Sequence, residues 1–302
     1  MSWLFEFPIK LSPDTRGLDS FIRGIAVRYA ELLDAGKAVL NALVTGANFI
    51  IGHVPWFLLI GLVFFLGWRS HKRFRTGALY AVLLFLIGLA GLWDLMILTL
   101  SIVLVGVVIA LIIGFPAGIL LSYSTAANNI VRPVLDTMQT MPVFVYMIPA
   151  VIFFGMGNAS AVIATVIYAM VPVIRLTSLG IRQIDKEVVE AASAFGSTRW
   201  QALIKVQIPQ ALPTIMAGVN QTLMMAMSMV VTASLIGARG LGNEVLVAVN
   251  RIEIGRGLLA GGSVVIIAIL LDRLTQGWFE TNEKNRAEAE NRKGRRPPVD
   301  DR

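Results

Sequence analysis

The residues of this chain that could do chemistry are few, and their types limit what that chemistry is. The 302 residues include no cysteine and only two histidines, His53 and His71, so thiolate or imidazole metal sites have almost no donors. No metal site is expected. No Ser/His/Asp set or carboxylate pair can be assembled within the apolar stretches, which argues against a membrane enzyme. The one Gly-Lys pair, Gly36-Lys37, precedes Ala38 and has Glu31 where a phosphate-cradling loop requires glycine. This chain is therefore expected to bind no ATP. The informative segment is 184–209. Asp185, Glu187 and Glu190 fall in the first turns of a short helix, where acidic groups complement the helix dipole. Ala191, Ala192 and Ala194 are small enough for another protein to come close, and Gly196 suits a left-handed terminator. Thr198 and Gln201 have capping-box spacing and start a second helix. Trp200, Leu203, Ile204 and Ile208 are expected to anchor that helix, with Pro209 and Pro213 stopping it. This helix–glycine–helix unit is too small to fold alone. It reads as a docking projection or as a plain solvated loop.

The elements that must carry this segment follow from where charge is missing. The chain is 56% hydrophobic and 15% charged, with a mean hydropathy of +0.73. Soluble domains carry about 25% charged residues, so the chain is expected to be an integral membrane protein. A bilayer core needs roughly 20 apolar residues per helix. Charge-free intervals run 38–68, 76–93, 95–131, 137–174, 206–238 and 257–271. The run Gly155-Met156-Gly157-Asn158 splits 137–174 into two spans, and Gly52, His53 and Pro55 separate a membrane-skimming segment at 38–52 from a first span. About seven transmembrane helices are expected, at 54–68, 76–93, 97–121, 141–156, 159–175, 213–237 and 257–276. The first 35 residues, with Pro8, Pro13 and mixed charge, do not resemble a secretory signal.

The net charge of +7 has a topological reading. Eighteen of the 26 Lys and Arg fall in alternate connections and the carboxyl-terminal tail, which places those on the cytoplasmic side. The amino terminus is then outside and the carboxyl terminus inside. No nucleic-acid partner is needed to explain the positive balance; the lipid bilayer is the partner. Trp56, Trp68, Trp93 and Trp278 fall near span ends, as interfacial anchors do. None of the expected span interiors contains Asp, Glu, Lys or Arg, whereas proton-coupled carriers keep such groups as relays. The interior polar residues are neutral and either bond between helices or line a path.

The segment 184–209 then resembles a known family. Glu190-Ala191-Ala192, Gly196 and Val206-x-Ile208-Pro209 look like the coupling signature of permease subunits in ATP-binding-cassette importers, with Val206 and Ile208 as apolar departures. Three further stretches, 132–146, 205–229 and 270–276, resemble the glycine betaine/proline betaine (quaternary amine) permeases. The resemblance covers roughly 95–277. It implies an all-α integral membrane protein with the type I importer permease fold. The resemblance makes 94–277 the core and, more loosely, 54–93 two accessory helices; it adds nothing outside these, where charge and composition make 1–53 an extracytoplasmic segment with an interfacial helix and 278–302 a disordered cytoplasmic tail. It further implies a bacterial inner-membrane location, a second copy of the permease, partner ATPase subunits that hold ATP and Mg, and an external solute-binding protein. Glu190, Ala191, Ala192, Gly196 and Pro209 would couple to the ATPase. Gln139, Thr140, Tyr146, Asn220, Gln221 and Ser228 are candidates for the path, and Met224 and Met225 for packing at a gate. The segment 237–242 resembles the family's glycine-rich external stretch. Choline, carnitine or proline remain alternative solutes, and an ion-coupled carrier is the alternative mechanism.

Overall fold

The computed structural model describes residues 16–71 and 73–294, and among them there are helices but no strand. The expected disorder of the tail lies partly outside these residues; within them the last helix continues to Gly294. The centre of the bundle is a pair of long helices, α5 (Trp93–Tyr123) and α8 (Asn158–Arg182). Helix α5 is apolar around its whole circumference, the pattern of a helix enclosed by others. One stripe of it is small. Gly106, Ala110, Gly114 and Gly118 recur every four residues and are buried against α8. A Cβ on Gly114 would lie 2.4 Å from Val173 and one on Gly118 would lie 2.7 Å from the Ile174 carbonyl oxygen. Close approach of two backbones substitutes for the hydrophobic drive that lipid cannot supply. Helix α11 (Ile208–Ala233) packs on the other side of α8, where Gly180 and Gly218 open the contact.

Around this core stand α3 (Trp56–His71), α4 (Phe74–Leu89) and α13 (Ile254–Gly294). Helices α3 and α4 form a hairpin crossing closely at Gly67 and Gly77, and both pack on α13. At 16 residues each, about 24 Å, they are short for a bilayer core. Helix α13 is 41 residues long and runs well past any membrane boundary.

Several sequence expectations change. The span expected at 141–156 is a 12-residue helix, α7 (Val143–Phe154), about 18 Å long and unable to cross alone. It is bent by 96° against α6 (Thr125–Thr140), and only the bent pair together has the length of a span. Ser124 caps α6 by accepting from the Ala127 amide at 3.1 Å, and Pro142 separates the two helices. The span expected from 213 begins earlier. A π-helical turn at Leu203–Gln207 carries the chain from α10 (Arg199–Ala202) directly into α11, so Pro209 and Pro213 do not end a helix. Pro209 sits in the first turn of α11, where a missing amide hydrogen costs little.

The segment 38–52 belongs to a longer helix, α2 (Ala30–Gly52), which follows α1 (Arg16–Arg28). By length and composition α2 could cross a membrane. Its contacts place it otherwise. A Cβ on Gly36 would meet Phe154 at the end of α7, and one on Gly52 would meet Ile97 near the start of α5. Both residues lie at the same end of the bundle, so α2 runs obliquely across that end, burying Leu40 and Val44.

That end is closed by hydrogen bonds between distant segments. The Gly157 amide donates to the Ile236 carbonyl at 2.9 Å and the Arg239 amide to Asn158 Oδ1 at 3.0 Å. Thr99, fully buried, donates to the Leu95 carbonyl at 2.7 Å and accepts from the Leu241 amide at 2.8 Å. The latter fixes the start of α12 (Leu241–Arg251), and Gly240 lies so close that a Cβ would sit 2.5 Å from the Thr99 hydroxyl. Thr99→Val would leave the Leu241 amide buried without an acceptor, which costs about 1–3 kcal/mol. A lowered thermal midpoint of the detergent-solubilised protein checks this, with Thr99→Ser as the retained-bond control.

Candidate functional site

At the opposite end from Thr99, the chain leaves α8 and builds the projection anticipated from its residues. Asp185 caps α9 (Lys186–Ala194) by accepting from the Glu187 amide at 3.0 Å. The helix ends in a Schellman turn. The Gly196 amide donates to Ser193 at 2.9 Å and the Ser197 amide to Ala192 at 3.0 Å, while Gly196 takes φ +83°. Thr198 and Gln201 then form a full capping box at the start of α10, with bonds of 2.9 and 3.3 Å. Three local devices therefore fix the path of the chain from 185 to 201 without any help from burial. No residue of α9 is buried. Glu190 and Ala191 are exposed, Ala192 is half-buried, and Pro209 is exposed at the base.

Anchoring differs from expectation. Leu203 is buried with Ile181, Ala211 and Ile215, and Ile208 packs against that cluster. Trp200 and Ile204, expected to anchor as well, are 67% and 46% exposed, and Phe195 is 92% exposed. Only one side of so short a helix can face the bundle; Trp200 and Ile204 share the other. The projection thus presents large apolar side chains that its own chain leaves uncovered, the pattern of a protein contact surface.

The candidate path residues divide. Gln221, Met224 and Ser228 share one exposed stripe of α11 at helical spacing. Asn220 faces elsewhere. Its Nδ2 donates to Asp272 Oδ1 on α13 at 2.6 Å, and Gln276 donates to the same oxygen at 2.7 Å. Met225 packs into the core beside α13. Tyr146 is 5% exposed, its hydroxyl donates to the Met138 carbonyl, and its ring lies 5.8 Å from that of Tyr168. Gln139 accepts from Arg175 at 2.8 Å, and Arg175 pairs with Asp136 at 3.0 Å. The Thr140 hydroxyl is bonded to its own helix at 3.0 Å. The structure thus brings Gln221, Met224 and Ser228 together on one stripe and gives Asn220, Tyr146 and Gln139 hydrogen-bond partners on other helices.

Charge also lies deeper than the sequence indicated. Arg175 is inside α8, two turns before its end, and Asp272 is 19% exposed inside α13. Both are tolerated because each is paired or hydrogen-bonded. Asn220→Leu should leave Asp272 with one amide donor and lower stability by about 1–3 kcal/mol, with the solute concentration for half-maximal transport unchanged. Thermal unfolding and uptake kinetics on the same preparation test both halves, and an altered half-maximal concentration would return Asn220 to the path.

Residues 106–281 match the family described as binding-protein-dependent transport system inner membrane component. The chain belongs to this family. It is 48% identical over 277 residues to a glycine betaine/carnitine transport permease of Listeria monocytogenes, covering 90% of this chain and 96% of that protein. It is 50% identical over 262 residues to a glycine betaine/proline betaine transport system permease of Escherichia coli, covering 87% of this chain and 73% of that protein. Its fold is similar to that of a chain of the inward-facing MetNI methionine ABC transporter, with a TM-score of 0.52 at 23% identity, covering 63% of this chain and 92% of that one. The all-α importer permease fold, the multi-pass inner-membrane location and the role of a non-catalytic membrane subunit of an ATP-binding-cassette transporter follow. The ion-coupled carrier and the membrane enzyme are set aside.

Proposed function

We propose that this permease moves glycine betaine into the cell, powered by a separate ATPase that grips the projection around Gly196. The observation that carries the coupling role is the exposure of Phe195 and Trp200 on a segment whose backbone is fully fixed by caps. A rigid, unfilled apolar surface of this kind transmits displacement as well as affinity. Closing of two ATPase subunits on ATP and Mg would move α9 as a body, and α11, continuous with α10 through the π turn, would move with it. Glu190, Ala191, Ala192 and Gly196 form the contact, and Pro209 marks where the moving segment joins the core.

The path is assigned to the α11 stripe. The Ser228 hydroxyl donates to the Met224 carbonyl at 3.1 Å, but the Gln221 amide exposed to hydrocarbon would be costly, so this face is expected to meet water, solute or a second copy of the chain. Neutral polar groups suit betaine, a zwitterion whose quaternary ammonium is weakly hydrated and needs no buried counter-charge. Met224 between them provides an adaptable apolar surface at the constriction. A homodimer would put two such stripes across one passage. The end of the bundle that carries α2 and α12 would face outward to a solute-binding protein, with the projection and the bulk of Lys and Arg in the cytoplasm. The relatives' names favour glycine betaine over choline or proline.

Co-reconstitution with the ATPase and the solute-binding protein tests this. Uptake of labelled glycine betaine should require ATP and both partners, and excess carnitine, choline or proline should compete less well than unlabelled betaine. Accumulation driven by an ion gradient without ATP or partners would overturn the reading.

A further inference from the structure

A second polar site lies between α5, α6 and α8, at the same end as the projection but separate from it. It is a cavity of about 340 Å³. Arg175, Ser178, Leu179 and Arg182 come from one face of α8, at positions three and four apart, and Asn128, Asn129 and Arg132 come from the facing side of α6. Arg175 is neutralised by Asp136 at 3.0 Å and donates to the Gln139 amide oxygen at 2.8 Å. Arg132 and Arg182 have no ion-pair partner among the described residues. The cavity therefore holds three guanidinium groups against one carboxylate. A second observation points the same way. Ser178 is 4% exposed and its hydroxyl oxygen is buried without any hydrogen-bond partner. A buried hydroxyl left unpaired is costly, and a cavity lined by donors is where its partner belongs.

We propose that this cavity binds a phosphate-bearing anion, held by the Arg132 and Arg182 guanidiniums, with the asparagine amides and the Ser178 hydroxyl as neutral donors. Guanidinium groups match phosphate oxygens in forked pairs, each bond assisted by charge. Lipid is the source that the surroundings favour. Leu121, Leu135 and Leu179 are the apolar part of the wall, and Leu179 is 43% exposed, which provides an apolar edge for an acyl chain leading away from a headgroup. The bound anion would tie α6 to α8. It would thereby brace the bent α6–α7 pair against the helix that leads into the projection.

The test uses the full chain in detergent, with native mass spectrometry against short-chain phosphatidylglycerol, phosphatidylcholine and inorganic phosphate. The wild type should retain phosphatidylglycerol in preference to phosphatidylcholine, and Arg132→Gln/Arg182→Gln should hold it roughly 30-fold more weakly, two surface-charge contributions being lost. Ser178→Ala, a change too small to unfold the helix pair, should weaken binding in the same direction. Retention of inorganic phosphate, with the same loss in the variants, would also support the site while assigning it to a soluble anion. Equal retention of the two lipids by the wild type, with no retention of inorganic phosphate, would overturn the proposal. So would an equal loss in Arg73→Gln/Arg75→Gln, which removes two charges at the start of α4.

Discussion

Gly196→Val is expected to abolish most solute-stimulated ATP hydrolysis and transport while leaving the membrane core folded. The effect is local. Gly196 takes φ +83°, and a Cβ built there meets nothing within 4 Å, so the substitution creates no clash with the rest of the protein. Its whole effect is on the backbone. An L-residue in the left-handed region costs about 1–2 kcal/mol, and a β-branched one lies at the upper end or beyond. That is enough to change the population of the Schellman turn by roughly 5–30-fold. Once the turn opens, α9 loses its direction relative to α10, and the apolar surface of Phe195 and Trp200 no longer keeps one shape. Gly196→Asn should be milder, because asparagine tolerates this region. Hydrolysis and uptake by the reconstituted complex, with assembly scored by co-purification of the ATPase, give the answer. Normal assembly together with normal stimulation in Gly196→Val would remove the turn from the coupling role.

Gly118→Val acts at the other extreme, on the fold and not on coupling. A Cβ at Gly118 would lie 2.7 Å from both the Ile174 carbonyl oxygen and Thr177 Cβ, and these belong to the backbone and the rigid stem of α8. Neither can rotate away. The helices must separate, and the small-residue stripe that permits their approach is interrupted where the α8 end leads to the projection. Overpacking of this kind costs about 1–3 kcal/mol, and loss of close backbone contact along a buried pair adds to it. The expected result is a sharp fall in the detergent melting temperature and in the amount of protein inserted in the membrane. Gly61→Val, at a position where a Cβ would meet nothing within 4 Å, should leave both unchanged. Equal behaviour of the two variants would show that the α5–α8 approach is not limiting.

The projection was legible from its residues because its structure is local. Asp185, Gly196, Thr198 and Gln201 act on amides no more than a few positions away, so residue type and spacing determine the capping and the turn. The same holds for the apolar helices, since length without charge is a property of the chain itself. The bend between α6 and α7 was less legible. Met141 and Pro142 lie in or beside a charge-free interval, and counting charge does not register a 96° change of direction. Continuity of α10 with α11 was hidden for a related reason. Proline in a first turn and proline at a break look alike until the π turn at 203–207 shows which is present.

The polar residues mark the limit most clearly. Asn220 and Gln221 are adjacent, of similar chemistry, and indistinguishable as path candidates by type. They point about 100° apart around the helix, one to Asp272 on α13 and the other outward. Likewise Arg175 and Arg182 both read as topology signals, while the structure pairs the first with Asp136 and turns both, with Arg132, into one cavity. By itself the sequence determined that the chain is a membrane protein and which segment projects. Which side chains meet across the bundle was decided only by the tertiary structure, because helix rotation is set by small-residue contacts such as Gly114 and Gly118 against α8. Those contacts join residues more than 50 positions apart, and no local pattern specifies their partner.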